Sequence, residues 1–486
     1  MQTLTGFIPC DALISANLSH TVYLPSSALY PELVAGSWAL NTRKSPWCFA
    51  LPSSACEVSQ ILTALRSAGD GAGDWHIAVR SGGHGSDDSN NIAIGVTIDL
   101  SQLNATTYDA ATNIASIGTG ARWLDVYVEL EKYGVSVTGG RQGIVGVGGF
   151  VLGGGNSWYT ARTGFSCDNV INYEVVLPSG KIINANATAH SDLWRALKGG
   201  SSNFGVVTRF DMQAFPARNL TIQTRTIGMD RAKEFVDAFA GFTDLDESFH
   251  NNALLSYMSY GPETNETTIL VTEVNTVDNT NTTAFDAFNL IPTLVPGTKQ
   301  SLSLVDSANS SSVAPSTLNA GTYLTIANDR RVLRYCIDQH DILVADLKTI
   351  LGSEDFWTVV DFQPLPSYFA EIGARNGGNM LGLERDSRNK FMFVAGVTLL
   401  TSKGEEQYPR VHQKLSAMIT RVEAFSKSVG SNEEFVYLNY AHANENPLGS
   451  YGKASVDHIR KVAHKYDPHG FMQKRVPGGF KIDRVK

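Results

Sequence analysis

The sequence predicts an α+β fold assembled from three stretches of chain. From about Trp47 to Phe215, β-like runs alternate with helical ones, as they do in α+β or α/β cores. After Phe215 the chain becomes rich in Thr and Asn, with alternating apolar positions to about Gln300. That pattern predicts a separate antiparallel sheet, backed by helices. The end of the chain, "YLNY…YDPHGF…VPGGFKI", reads again as strand, loop and helix. A length of 486 residues suggests roughly three domains. The expected divisions are 1–215, 216–434 and 435–486.

Each element has a local signal. Ser54 followed by Glu57 reads as a capping box. Val58, Ile61, Leu62 and Leu65 then give an apolar helical stripe. "WHIAVRSGG" and "IAIGVTIDL" read as buried strands separated by a glycine-rich turn. Trp123 to Tyr133 is an amphipathic helix stopped by Gly134. Val170 to Leu177 followed by "PSGK" reads as a hairpin strand and its turn. Asp192 to Leu197, Arg330 to Leu351 and Gln407 to Ser428 have helical periodicity.

Composition narrows the partners. A formal net charge of −8 favours neither nucleic acid nor an anionic membrane. No window approaches the roughly 18 unbroken apolar residues of a membrane span. Met1 to Ser19 lack the charged start and apolar core of a signal peptide. Sequons at Asn17, Asn104, Asn186, Asn219, Asn265, Asn281 and Asn309 lean slightly towards a secretory route. Location therefore stays open between secreted or vesicular and cytoplasmic. The five cysteines (Cys10, Cys48, Cys56, Cys167 and Cys336) show no metal-ligand spacing, and no metal is expected. Cys167 and Cys336 read as buried free thiols.

Three segments carry chemistry. Val79-Arg80-Ser81-Gly82-Gly83-His84-Gly85 sets small residues between two strands, where backbone N–H groups converge on an anion such as a pyrophosphate. A tight turn with a surface histidine is the plainer reading of that loop alone. Gly139 to Gly155, "GGRQGIVGVGGFVLGGG", permits close backbone approach to a flat ligand. It is too apolar for a flexible linker. It is also not a dinucleotide fingerprint: counting from Gly146, the third glycine position is Val151, and no strand–helix unit frames it. NAD is therefore disfavoured. The third segment, "DLWRALKGGSSNFGVVTRF", is weak by itself. Neither a glycosidase-type carboxylate pair nor a Ser-His-Asp triad is assignable from any spacing.

Taken in order, these segments resemble the FAD-linked oxidases of the vanillyl-alcohol-oxidase superfamily, closest to fungal members of the berberine-bridge-enzyme-like family. The resemblance rests on "RSGGHG", "VGVGGFVLGGG", "CDNVINYEVVLPSGK", "KGGSSNFGVVTRF" and "YLNY…YDPHGF…VPGGFKI" and spans nearly the whole chain. It implies a two-lobed FAD-binding domain of the PCMH type over 1–215, to which the segment 435–486 returns. It implies a substrate domain over 216–434, with the flavin between the two. The family's "GGH" histidine is bonded to the flavin 8α-methyl group, and here it is His84. Many members add a bond from a cysteine where this chain has Gln142, so the resemblance implies FAD held by His84 alone. The cofactor-binding residues it implies are His84, Arg80, Ser81, Gly82, Gly83, Gly85, Gln142, Val145, Gly146, Gly148, Gly149, Gly153, Gly154, Asn156, Gly205, Val207 and Asn439. At Val145, a small side chain beside the ring implies room for molecular oxygen.

The same resemblance supplies the catalytic expectations. Tyr437-Leu438-Asn439-Tyr440 matches the family's Y-x-N-Y motif, whose tyrosines sit above the flavin, so Tyr440 or Tyr437 is the expected base. A phenol of ordinary pKa, near ~10, needs lowering for that work. Gln363, in "WTVVDFQPLP", is expected to reach the substrate. The family's Asp two residues after the second tyrosine is His442 here, and Leu365 falls near the place of its supporting Asp. The implied reaction passes a hydride from a small organic substrate, such as a secondary-metabolite alcohol, to flavin N5. Oxygen then leaves as hydrogen peroxide. A secreted carbohydrate oxidase and a flavin-scaffolded non-redox cyclase are the alternatives. Fungal relatives also imply a Cys10–Cys48 disulfide.

Overall fold

The computed structural model describes residues 4–69, 73–85, 89–311 and 318–486. Its first helix of substance, Ala55–Ala68, begins as expected: the Ser54 hydroxyl accepts from the Glu57 amide. The Glu57 carboxylate reaches back to the Ser53 amide at 2.7 Å and not to that of Ser54. Val58, Ile61, Leu62 and Leu65 are all buried beneath it. They cover a four-stranded sheet in the order Val22–Tyr23, Cys48–Ala50, Gly95–Asp99, His76–Arg80. The last three strands run parallel. Cys10 and Cys48 form the expected disulfide, with Cα atoms 6.2 Å apart. Cys167 and Cys336 are free and buried, and Cys56 is free and exposed.

A second sheet holds the expected hairpin. Its order is Thr106–Asp109, Ile114–Gly118, Val206–Gln213, Val170–Val176, Ile182–Asn186, antiparallel throughout. "PSGK" closes the last pair, with the Leu177 amide donating to the Lys181 carbonyl. The glycine run departs from expectation, because Val147–Leu152 is a short helix. Val147 and Val151, one turn apart, are both buried, and their burial offsets the roughly 1 kcal/mol that each helical glycine costs.

The Thr- and Asn-rich region forms a seven-stranded antiparallel sheet. Its order is Val295–Leu302, Leu220–Gly228, Glu266–Asn275, Asn252–Gly261, Phe356–Leu365, Lys390–Leu399, Leu318–Ala327. Helices Ala232–Thr243, Arg330–Leu351 and Tyr408–Ser428 pack on one face. Side chains alternate across a strand. In Phe356–Leu365, Phe356, Val360 and Phe362 enter the core beneath those helices, while Leu365 joins the core of the N-terminal sheets. Asp361 and Gln363 share the face of Leu365.

The strand expected at "YLNY" is not formed. Leu438–Tyr440 is a 3-10 turn, in which residues three apart come into line on one side. That geometry brings the Tyr437 and Tyr440 rings to 4.9 Å, edge to face. The chain then continues through helix Lys453–Tyr466 and returns to the N-terminal region. The Ile77 amide donates to the Arg475 carbonyl, and Asn203 Nδ2 donates to the Phe480 carbonyl. Met472 and Val476 are buried in the core of the first sheet.

Candidate functional site

The histidine loop and the glycine run touch backbone to backbone. A Cβ added to Gly82 would lie 2.4 Å from the Gly146 nitrogen, and one on Gly146 would lie 2.3 Å from the Gly82 nitrogen. Only glycine fits at either position. Ser81 fastens the contact: its hydroxyl donates to the Thr119 carbonyl at 2.7 Å and accepts from the Gly148 amide at 3.2 Å. Among the described residues, no acceptor takes the amides of Gly82, Gly83, His84 and Gly85. Consecutive unpaired amides of this kind make an anion-binding concavity.

His84 lies against Trp38, with ring centroids 4.8 Å apart and planes at 18°. The Trp38 amide donates to the Gly83 carbonyl and holds the two segments together. Burial, helped by the nearby positive charge of Arg122, pushes the His84 imidazole down to about 4. The ring is therefore neutral near pH 7, and its Nε2 is buried without a partner among the described residues. Neutral imidazole nitrogen carries the lone pair that a nucleophile or ligand needs.

The two tyrosines differ in surroundings. Tyr437 is fully buried, and its oxygen accepts from the amides of Gly155 at 2.9 Å and Asn156 at 2.7 Å. Asn439 Nδ2 donates to the same oxygen and to the Phe150 carbonyl. Burial raises the Tyr437 phenol well above its ordinary value. Tyr440 is half-buried. Its oxygen accepts from Arg141 Nη2 at 2.8 Å, and its hydroxyl donates to Gln363 Oε1 at 3.2 Å. Gln363 Oε1 also accepts from Arg141 Nη2 at 2.9 Å and from Asn156 Nδ2 at 3.0 Å. Burial raises the Asp361 carboxyl to about 6, against the opposing pull of Arg141.

The expected residues divide by position. Ser81, Gly82, Gly146 and Gly148 meet at the loop contact, with Gly83, His84 and Gly85 beside it. Gly153 packs against Asn439, and Gly154 packs against Tyr437. Gln142 and Val145 bond to each other through the backbone and are half-buried. Gly149 has open space where a Cβ would point. Arg80 packs its stem against Gly83, 3.3 Å from where a Cβ there would lie, while its guanidinium is buried and paired with Asp99, and Nη1 donates to Ser37 Oγ. Gly205 and Val207 lie apart, against Val175 and Val176 of the second sheet.

Sequence reasoning passed over Trp38, Arg122, Arg141 and Asp361. Asp361 left a signal, because it stands two residues before Gln363 and so shares its face. Arg141 left one too, as the single charge in a run of glycines and apolar residues. Trp38 and Arg122 left none that local spacing reveals.

Residues 46–186 match the FAD binding domain family. Along its length the chain is 34% identical over 483 residues to the FAD-dependent monooxygenase sdcF of Emericella nidulans, covering 98% of each. It is 32% identical to the FAD-dependent monooxygenase drtC of Aspergillus calidoustus, covering 98% of this chain and 90% of that one. The fold is similar to 6-hydroxy-D-nicotine oxidase from Arthrobacter nicotinovorans, with a TM-score of 0.74 at 21% identity over 92% of this chain and 95% of that one. It is also similar to glucooligosaccharide oxidase from Acremonium strictum, with a TM-score of 0.77 at 16% identity and 99% of each chain covered.

The two tyrosines are separable by stability. Tyr437→Phe strands buried amide donors and is expected to cost about 1–3 kcal/mol, read as a lower thermal midpoint. Tyr440→Phe, at a half-buried site, is expected to leave the midpoint nearly unchanged. Equal shifts in the two variants would contradict the assignment.

Proposed function

We propose that this chain, which belongs to the berberine-bridge-enzyme-like family of FAD-linked oxidoreductases, is an oxidase holding FAD covalently on His84. The observation that carries this reading is the buried Nε2 of a neutral His84 beside four loop amides, all without a partner among the described residues. Those donors and that nitrogen fit a dinucleotide: the amides suit its pyrophosphate, and the imidazole suits a bond to its ring. Gln142 offers no thiol, so His84 is the one covalent anchor.

Bound FAD supplies a two-electron acceptor that oxygen restores, with release of hydrogen peroxide. The protein's own residues handle the proton. Tyr440 takes the hydroxyl proton of a small organic substrate, a secondary-metabolite alcohol or related group, as the neighbouring C–H bond gives up its electron pair. Arg141 Nη2, donating to the Tyr440 oxygen, holds that oxygen in place for the transfer. Gln363 orients both. Tyr437 instead fixes the glycine turn, since its oxygen is occupied by amides and burial disfavours its charged form.

The names of the relatives favour a second reading, in which one oxygen atom enters the product. Val145 supports the first, because a half-buried valine leaves space for oxygen that a larger side chain closes.

Three measurements test the proposal. Acid-precipitated protein is expected to stay yellow, with flavin mass on the His84 peptide; flavin wholly in the supernatant would refute the bond. In anaerobic stopped-flow, Tyr440→Phe is expected to slow flavin reduction roughly 10²–10⁴-fold with little change in substrate affinity. An unchanged rate removes Tyr440 from the chemistry. Under ¹⁸O₂, the oxidase reading expects one peroxide per oxygen consumed and unlabelled product, with slower reoxidation in Val145→Leu. Label in the product selects monooxygenation.

A further inference from the structure

A cleft adjoins the Arg141 cluster. Arg141, Asn156 and Gln363 belong both to the cluster around Tyr440 and to the wall of this cleft. Much of the remaining lining is apolar, with Phe242, Phe249 and Phe369 among it. Among the described residues lining it, Arg141 carries the only charge, and no carboxylate is present.

The hydrogen bonding of Arg141 leaves its charge without a counter-ion. Both of its bonds run from Nη2 to neutral oxygens, those of Gln363 and Tyr440. Nε and Nη1 have no protein partner among the described residues. Among the described residues no carboxylate lies within ion-pair distance; Asp361 is the acid that feels it. The guanidinium stacks over the Trp158 ring, 5.2 Å from its centroid. Trp158 is buried, lines the same cleft, and has an Nε1 with no partner. A guanidinium seated on an aromatic face keeps its edge donors directed outward, in the planar fork that matches an oxyanion.

We infer that the cleft binds an aromatic compound bearing an acidic oxygen, with Arg141 holding the oxyanion and the phenylalanine wall holding the ring system. Arg141 is thus the specificity-determining residue, and the substrate class is a carboxylate or phenolate, in contrast to a neutral sugar. The inference rests on the proposed function, because it takes the cleft beside Tyr440 as the substrate's place.

Calorimetry on the flavin-loaded enzyme, with 2-naphthoate and its neutral isostere 2-naphthamide, tests it. Naphthoate is expected to bind about ten- to a hundredfold more tightly, as a charge-assisted pair supplies. Arg141→Gln is expected to erase that preference, while Arg141→Lys keeps part of it and shows that the site is intact. Phe249→Ala is expected to weaken both probes alike. Equal affinity of the two probes for the unmodified enzyme overturns the inference. It also falls if Arg141→Gln keeps the preference and shifts the flavin reduction potential, since the charge then serves the cofactor. Failure of the parent reading is visible separately, as absent flavin on His84 or absent reduction, neither of which alters the naphthoate preference.

Discussion

Gly82 and Gly146 come from loops that are far apart in sequence, and their backbones meet at a distance that no Cβ tolerates. The arrangement of the site follows from that approach. It presses the histidine loop against the start of helix Val147–Leu152, and Ser81 fastens the two with a pair of hydrogen bonds. His84 is then left at the rim of the contact with Trp38 on its face. Close packing of backbone on backbone is stiff, which suits a loop that must present a nitrogen and a row of amides in fixed register.

The catalytic side is assembled in the opposite manner, from long side chains meeting over a distance. Arg141 comes from the glycine run, Gln363 from the seven-stranded sheet, and Tyr440 from the C-terminal segment. Their partners are separated by 222 and 299 residues of chain. Hydrogen bonds to one shared oxygen, Gln363 Oε1, hold the three sources together. Such a knot exists only in the folded chain, and its polarity is tuned by burial. Burial pushes the Asp361 carboxyl up, against the pull of Arg141 beside it.

Much of this was legible in the sequence where the information is local. The glycine-flanked His84 announces itself because small residues between two strands have few other uses. The Ser54 cap, the hairpin and the long helices follow from propensity and periodicity. What failed was information carried by neighbours in space. Arg80 sits in the histidine motif, and its guanidinium is taken by Asp99, its register partner across parallel strands, a pairing that no spacing reveals. The "YLNY" motif reads as a strand by residue type. It becomes a 3-10 turn because three amide-bearing groups converge on the Tyr437 oxygen and fix the chain there.

The alternation along Phe356–Leu365 has an evolutionary consequence. Over the middle of one strand, residues that support the fold and residues beside the site occupy separate parities, as Val360 and Phe362 do beside Asp361 and Gln363, before Pro364 joins the cleft lining and Leu365 the core. Mutations on one parity sample new ligands while those on the other preserve the hydrophobic core. Such a sheet is a scaffold on which chemotypes can diversify by drift at every second codon, with little tax on foldedness.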